Sequence, residues 1–315
     1  MEKRCLACYN LLSAEETDFH ERCKKRILGK DLPALLPFSL ADAEKYAKNT
    51  LARSVVVTGV QPKLSLENGG RKSGTKRLTM INYDGMYIVK TPILQYPEMP
   101  ELEDLTMHLA NVYGIKTAEH SLIRMSSGEL AYLTKRFDRN KGGKLPLEDM
   151  AQLTGTMTEN KYHGSMESVA KVIRKHSSYP LYDLISFFEL IIFTFLTGNA
   201  DMHLKNFALL TTPDKEVQLS PAYDLVPTKL LIPGDKEELA LPLRGKKSRF
   251  TGSDFIAFAE YLGINPKSII QAMKKPGEKI DAMKQKIGIS FLAKETKEQY
   301  ISLIEERLQR LTNQS

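Results

Sequence analysis

The run Leu184 to Leu196 (LISFFELIIFTFL) would be apolar around its whole circumference as a helix, with Glu189 as its one charge. Such a helix must be enclosed, either by lipid or by other elements of the chain. Lipid is disfavoured, because the run falls short of the roughly 20 residues that cross a bilayer. The chain can do the enclosing itself: 315 residues, 42% of them hydrophobic, suffice for a large core and for two lobes or domains. Met1 to Cys8 lacks the apolar core and small-residue cleavage site of a secretory leader. Cys5, Cys8 and Cys23 are the only cysteines, which suits a reducing compartment. The expectation is a cytoplasmic protein with no membrane partner. A net charge of +7 would draw an acidic protein or a nucleic acid and selects neither.

Before the apolar run the pattern is different. Ser54 to Val57, Lys63 to Leu66, Arg77 to Ile81 and Met86 to Lys90 are strand-like, and Asn68-Gly69-Gly70 and Asn82-Tyr83-Asp84-Gly85 between them are turn signals. This predicts an antiparallel sheet of hairpins. A helix over Glu101 to Tyr113, ended by Gly114, precedes two more strands, Thr117 to Met125 and Glu129 to Arg136. From about Leu147 helices dominate: Ser165 to Lys175, Leu181 to Thr197, Gly252 to Leu262, and a last one from about Lys294 to Leu311. The fold class is therefore α+β, with three divisions: a Cys/His segment and helical connector over 1–52, a β-rich lobe over 53–136, and a hinge with a helical lobe over 137–315.

Directly after the apolar run comes Gly198 to Phe207, GNADMHLKNF. Asp201 and Asn206 stand in the D-x-x-x-x-N spacing with which protein kinases present a catalytic aspartate and a magnesium-binding asparagine on one short loop. A rigid helix before that loop limits misplacement of groups that act by positioning. Further on, Ser220 to Leu225 (SPAYDL) follows strand-like Val217 to Leu219 and offers Asp224 as a second oxygen ligand for a hard cation. Taken alone, the same residues are ordinary turn formers and caps. Set beside the apolar helix and the motifs of the first half, they favour phosphoryl transfer.

In the first half, Tyr87 to Pro92 (YIVKTP) puts Lys90 at the end of a strand, where its ammonium could reach ATP phosphates, and Glu103 on the next helix is the candidate partner that steadies it. Ser54 to Leu66 (SVVVTGVQPKLSL) is the candidate phosphate loop, with Thr58, Gly59, Val60 and Lys63 nearest the anion; a single glycine is a partial match, and a simple strand turn is the other reading. Leu133 to Arg139 (LTKRFDR) is a candidate hinge whose Phe137 could face adenine or fill the core. Leu145 to Leu153 (LPLEDMAQL) opens the helical lobe, where Glu148, Asp149 and Gln152 line the nucleotide cleft or cap a helix.

Taken in order, GVQPKLSL, YIVKTP, RFDR, LPLEDMAQLTG, GNADMHLKNF and SPAYDL resemble the motif series of HipA-like toxin kinases, over roughly Ser54 to Thr228. The resemblance implies a bilobal protein-kinase-like fold, dependence on ATP and Mg2+, and transfer to serine or threonine of a translation-related protein such as an aminoacyl-tRNA synthetase. It further implies that Lys90 contacts ATP, that Asp201 is catalytic with His203 beside it and Lys205 in the same loop, and that Asn206 and Asp224 hold magnesium. Long HipA-like proteins carry a small subdomain ahead of this region. With about fifty residues before the phosphate loop, this chain resembles the short form, HipT. Its implied partners are a separate small protein equivalent to that subdomain and a helix-turn-helix antitoxin, through which DNA would be met only indirectly. The family's habit of modifying the phosphate loop makes Ser54, then Thr58, candidates for autophosphorylation.

Cys5, Cys8, His20 and Cys23 form C-x2-C-x11-H-x2-C, two close ligand pairs whose chemistry suits a structural Zn2+. Three reduced cysteines and a surface histidine is the other reading, and the kinase chemistry does not need this metal. Two further function classes stand beside the kinase: a nucleic-acid-binding regulator, suggested by the basic charge, and an inactive pseudokinase scaffold. The lack of an aromatic-interleaved basic array weighs against the first. Intact Lys90, Asp201, Asn206 and Asp224 weigh against the second.

Overall fold

The computed structural model describes residues 2–30, 32–51, 63–69, 77–81, 85–140 and 143–312. The chain divides into two compact units, each assembled from more than one stretch: Met1–Leu105, Ala118–Phe137 and Ile289–Leu292 in the first, Thr106–Thr117, Asp138–Gly288 and Ala293–Ser315 in the second.

The first unit holds α1 (Glu21–Ile27), β1 (Leu35–Leu36), α2 (Leu40–Leu51), β2 (Lys63–Gly69), β3 (Arg77–Ile81), β4 (Tyr87–Lys90), the beginning of α3 (Met99–Tyr113), β5 (His120–Met125) and β6 (Leu130–Lys135). The strands form one sheet in the order β1-β5-β6-β4-β2-β3. Its pairings are antiparallel, as hairpins dictate, except that β1 lies parallel to β5. In β2 the buried Leu64 and Leu66 alternate with less buried neighbours and sit opposite Val89 and Tyr87 of β4, the period of two that a half-covered sheet requires. What covers it is the N-terminal segment: Cys5, Leu6, Phe19, Ile27 and Leu36 share one core with Leu64, Leu66, Val89, Leu122 and Leu133. The Tyr87 hydroxyl donates to the Ile27 carbonyl at 3.1 Å. Gly85, leading into β4, tolerates no side chain, since a Cβ would lie 2.2 Å from the Leu66 carbonyl oxygen.

The second unit contains β7 (Arg139–Asn140), β8 (Gly143–Lys144), β9 (Leu147–Asp149), α4 (Met150–Leu153), α5 (Met166–His176), α6 (Pro180–Leu196), β10 (Ala208–Thr211), β11 (Val217–Leu219), α7 (Thr228–Leu231), α8 (Gly252–Tyr261), α9 (Pro266–Gly288) and α10 (Lys294–Thr312). The apolar run is α6. By length and composition this helix could cross a membrane, but 67% of the stretch Pro180–Thr197 is buried inside the protein, with Phe187, Phe188, Ile191, Ile192 and Phe195 wholly enclosed. Phe195 meets the rings of Phe250 and Phe255 at 6.1 and 5.1 Å. A small antiparallel sheet has the strand order β11-β10-β9. The α+β class expected from the sequence is the class observed, β-rich in the first unit and mostly helical in the second.

Candidate active site

The polar motif begins where α6 ends. Gly198 N–H donates to the Phe195 carbonyl (3.1 Å) and Asn199 N–H to that of Thr194 (2.9 Å), the Schellman pairing, with Gly198 in the left-handed conformation at φ 70°. From this fixed end the loop is held by hydrogen bonds to Thr228 of α7 and within itself. Ala200 N–H donates to Thr228 Oγ1 at 2.8 Å and Asp201 N–H to Asn199 Oδ1 at 3.0 Å. The Asp201 carbonyl then accepts from His203 N–H at 2.8 Å and from Asn206 Nδ2 at 2.9 Å. The five-residue spacing therefore has a local meaning: the Asn206 amide nitrogen is committed to the Asp201 backbone, which leaves Oδ1 as the atom to offer a cation.

Around this loop the second unit gathers charge. Asp201 Oδ1 accepts from the Tyr162 hydroxyl at 2.6 Å. Lys205 Nζ pairs with Asp149 Oδ2 at 2.7 Å, and the Tyr223 hydroxyl donates to the Lys205 carbonyl at 2.9 Å. His203 is buried, lies edge-on to Tyr162 at 5.2 Å, and among the described residues has no hydrogen-bond partner for Nδ1. Burial pushes its pKa below the usual histidine range, Lys161 adds to that, and the carboxylates of Asp201 and Asp224 oppose it. His203 is thus within electrostatic reach of both carboxylates. Tyr223 is pushed up by burial first and then by Asp149, Asp224 and Asp138. Asp224 itself has φ 59°, a left-handed conformation that aspartate tolerates better than most residues. These are hard oxygen donors, the kind that suit magnesium.

In the first unit, Lys90 Nζ lies 2.6 Å from Glu103 Oε1 and 2.8 Å from Oε2. Burial of both side chains, 5% and 1% exposed, makes this a fixed ion pair, and the Tyr132 ring centroid is 5.7 Å from the ammonium. Lys63 is exposed and sits opposite Lys90 in the β2–β4 register. Phe137 closes the first unit's second stretch and is half-buried.

Of the other residues singled out from the sequence, Ser54, Thr58, Gly59 and Val60 lie outside the described residues. Gln152 is engaged in the capping box that starts α4: its Oε1 accepts from Asp149 N–H and its own N–H donates to Asp149 Oδ1, both at 2.9 Å. Cys5, Cys8, His20 and Cys23 come together, their ligand atoms all within 4.8 Å of one another. Sequence reasoning missed Tyr162, which no motif marks, and of the two roles it offered Asp149 the structure shows the helix cap, to which the pairing with Lys205 is added. It passed over Tyr223, although that residue stands inside SPAYDL beside Asp224.

Known proteins resemble this chain in sequence and in fold. Residues 55–285 match the family described as the HipA-like C-terminal domain. The “Putative kinase Y4dM” of Sinorhizobium fredii is 30% identical over 279 residues, covering 82% of this chain and 68% of that protein. The serine/threonine-protein kinase toxin HipA of Shewanella oneidensis is 30% identical over 190 residues, 54% of this chain and 42% of the toxin. A solved structure of HipA from the same species, in complex with HipB and operator DNA, superposes with a TM-score of 0.65 at 22% identity, covering 82% of this chain and 64% of that one. The Helicobacter pylori proinflammatory kinase CtkA gives a TM-score of 0.55 at 20% identity, over 79% of this chain and 93% of CtkA. The fold is thus that of HipA and CtkA.

Proposed function

The chain belongs to the HipA-like C-terminal domain family, and from that premise we propose that it is an ATP-dependent serine/threonine protein kinase acting as the toxin of a toxin–antitoxin system. The observation that carries the reading is the Asp201–Asn206 loop, closed through the Asp201 carbonyl, with Asp224 acting electrostatically on the same histidine as Asp201.

Each residue then has a task. Tyr162 occupies one oxygen of Asp201 and fixes the carboxylate's orientation, so that Oδ2 accepts the hydrogen bond of a substrate hydroxyl and takes its proton as transfer proceeds. Asn206 Oδ1 and the Asp224 carboxylate hold Mg2+, which when bound neutralises charge on the ATP phosphates. Lys205, steadied by Asp149, adds positive charge beside the loop. His203, buried beside Tyr162, supports the loop from within. Lys90, held by Glu103, contacts the phosphates; Thr58, Gly59, Val60 and Lys63 cover them, and Phe137 and Gln152 border the nucleotide. The divisions 1–52, 53–136 and 137–315 are the corresponding N-terminal segment, nucleotide lobe and catalytic lobe.

The acceptor is a serine or threonine of a translation-related protein, with an aminoacyl-tRNA synthetase the leading class, in the cytoplasm. Partners are a helix-turn-helix antitoxin, as HipB accompanies the Shewanella HipA, and a small protein equivalent to the HipA N-subdomain, which is the HipT-like arrangement. Ser54, then Thr58, is the site at which the kinase modifies and silences itself. The test is incubation of purified wild type and Asp201→Asn with Mg-ATP, followed by mass spectrometry of the protein and of a cell extract. Phosphate on the 54–58 loop and on an extract protein in the wild type alone supports the reading; no ATP-derived phosphate on any protein overturns it.

A further inference from the structure

The N-terminal cysteines are placed as a metal site requires. Tetrahedral zinc, with Zn–S near 2.3 Å and Zn–N near 2.0–2.1 Å, separates its ligand atoms by roughly 3.5–3.8 Å. Cys8 Sγ lies 3.4 Å and Cys23 Sγ 3.8 Å from His20 Nδ1, and all four ligand atoms are within 4.8 Å of one another. The other histidine nitrogen is already used: His20 Nε2 donates to the Leu11 carbonyl at 3.0 Å, the outer contact that fixes the ring with Nδ1 as the free lone pair. Cys5 is held by its backbone, its N–H donating to Asn10 O and its carbonyl accepting from Tyr9 N–H, both at 2.9 Å. Three thiolates and an imidazole select a soft, four-coordinate ion such as zinc over magnesium or calcium.

The residue after Cys8 carries this site inward. Tyr9 has φ 68° and no exposure. Its hydroxyl donates to Asp104 Oδ2 at 2.7 Å, and His120 Nδ1 meets Asp104 Oδ1, also at 2.7 Å. Asp104 is the neighbour in α3 of Glu103, whose two oxygens hold Lys90. One covalent step therefore joins the cysteine cluster to Tyr9, and one joins Tyr9's acceptor to the carboxylate of the buried ion pair.

We propose that Cys5, Cys8, His20 and Cys23 bind one structural Zn2+, and that its occupancy, transmitted by Tyr9 as a positioning residue, holds the start of α3 and with it the Glu103–Lys90 pair. The ion neutralises the thiolates and fixes the turn from which Tyr9 projects. Without it, the turn that presents the tyrosine hydroxyl to Asp104 loses its anchor at the cysteine cluster.

The test uses the full chain and no nucleotide, so it stands or falls separately from the kinase reading. Protein purified without chelator is assayed for metal, and stripped protein is refilled with Co2+ or Zn2+. Expected are about one zinc per chain and, with Co2+, the intense visible absorption of a tetrahedral thiolate site, both lost in His20→Ala. Hydrogen exchange of the Leu102–Leu105 amides should accelerate at least about tenfold on stripping and recover with Zn2+. Tyr9→Phe should keep the cobalt spectrum but lose the zinc-dependent protection. Wild type that neither carries zinc nor gives a tetrahedral cobalt spectrum overturns the site. Exchange in α3 that is indifferent to the metal, or equally metal-dependent in Tyr9→Phe, overturns the coupling.

Discussion

Two ion pairs of almost equal length set the two units apart. Lys90–Glu103 spans 2.6 Å with side chains 5% and 1% exposed; Lys205–Asp149 spans 2.7 Å with side chains 34% and 16% exposed. Removing one partner of a buried pair strands a charge and costs about 3–5 kcal/mol, whereas a solvated pair contributes roughly 0–1 kcal/mol. In the first unit the proposed nucleotide contact is part of the core, and chemistry cannot be altered without touching the fold. In the second, reactive groups stand on a loop that the buried α6 carries, and the two can be separated.

The largest effect should come from Asp201→Asn, which removes a charge and a proton acceptor while keeping shape and the Tyr162 hydrogen bond. Phosphate transfer should fall about 10²- to 10⁴-fold, with unfolding free energy within about 0.5 kcal/mol of wild type. A large loss of stability would erase the separation drawn for the second unit. Next comes Glu103→Ala, expected to cost about 3–5 kcal/mol by denaturant melt. Replacing Lys90 and Glu103 together by methionine and leucine should recover most of that stability and none of the activity, and a double variant as unstable as the single one would contradict the explanation by a stranded charge.

A pH series sharpens the contrast. Burial raises Glu101, in the first turn of α3, from 4.5 to about 7, and its Oε2 has no hydrogen-bond partner among the described residues. A raised carboxyl favours the protonated folded state, so its stabilising effect is full below about pH 4.5 and is lost as pH climbs through about 7. Glu101→Gln should therefore match wild type near pH 4.5 and exceed it by about 2–3 kcal/mol at pH 8; parallel stability curves would show the carboxyl to be solvated. The smallest effect belongs to Lys205→Ala, whose denaturation midpoint should report a change of about 1 kcal/mol or less.

Much of this was legible in the chain itself. The strands β2, β3 and β4 and the apolar run of α6 announce themselves through local period, although Asn68 and Gly69, expected in a turn, continue β2, and Lys90 and Glu103 fall together because a strand end and the next helix are close by construction. What could not be read depends on distant chain. Tyr162 meets Asp201 across 39 residues and Lys205 meets Asp149 across 56, separations that leave no periodic trace. The parallel pairing of Leu35–Leu36 with β5 is similarly silent, since two residues carry no pattern. Pro276-Gly277 looks like a helix stop, yet α9 continues through it from Pro266 to Gly288, with Pro276 buried.

One short return of the chain bears on how the protein is made. Ile289–Leu292 leaves the helical unit to join the first, where the Phe291 ring stands edge-on to Tyr9 at 5.0 Å. On the ribosome, at about 5–20 residues per second, the N-terminal residues emerge long before Phe291 exists. The sheet can begin to form during translation, but the packing around Tyr9 waits until residue 291 has emerged. A nascent chain therefore stays unfinished at this contact until most of the helical unit has been made, and a product truncated before Phe291 would carry every proposed catalytic residue while lacking a piece that packs on its first core.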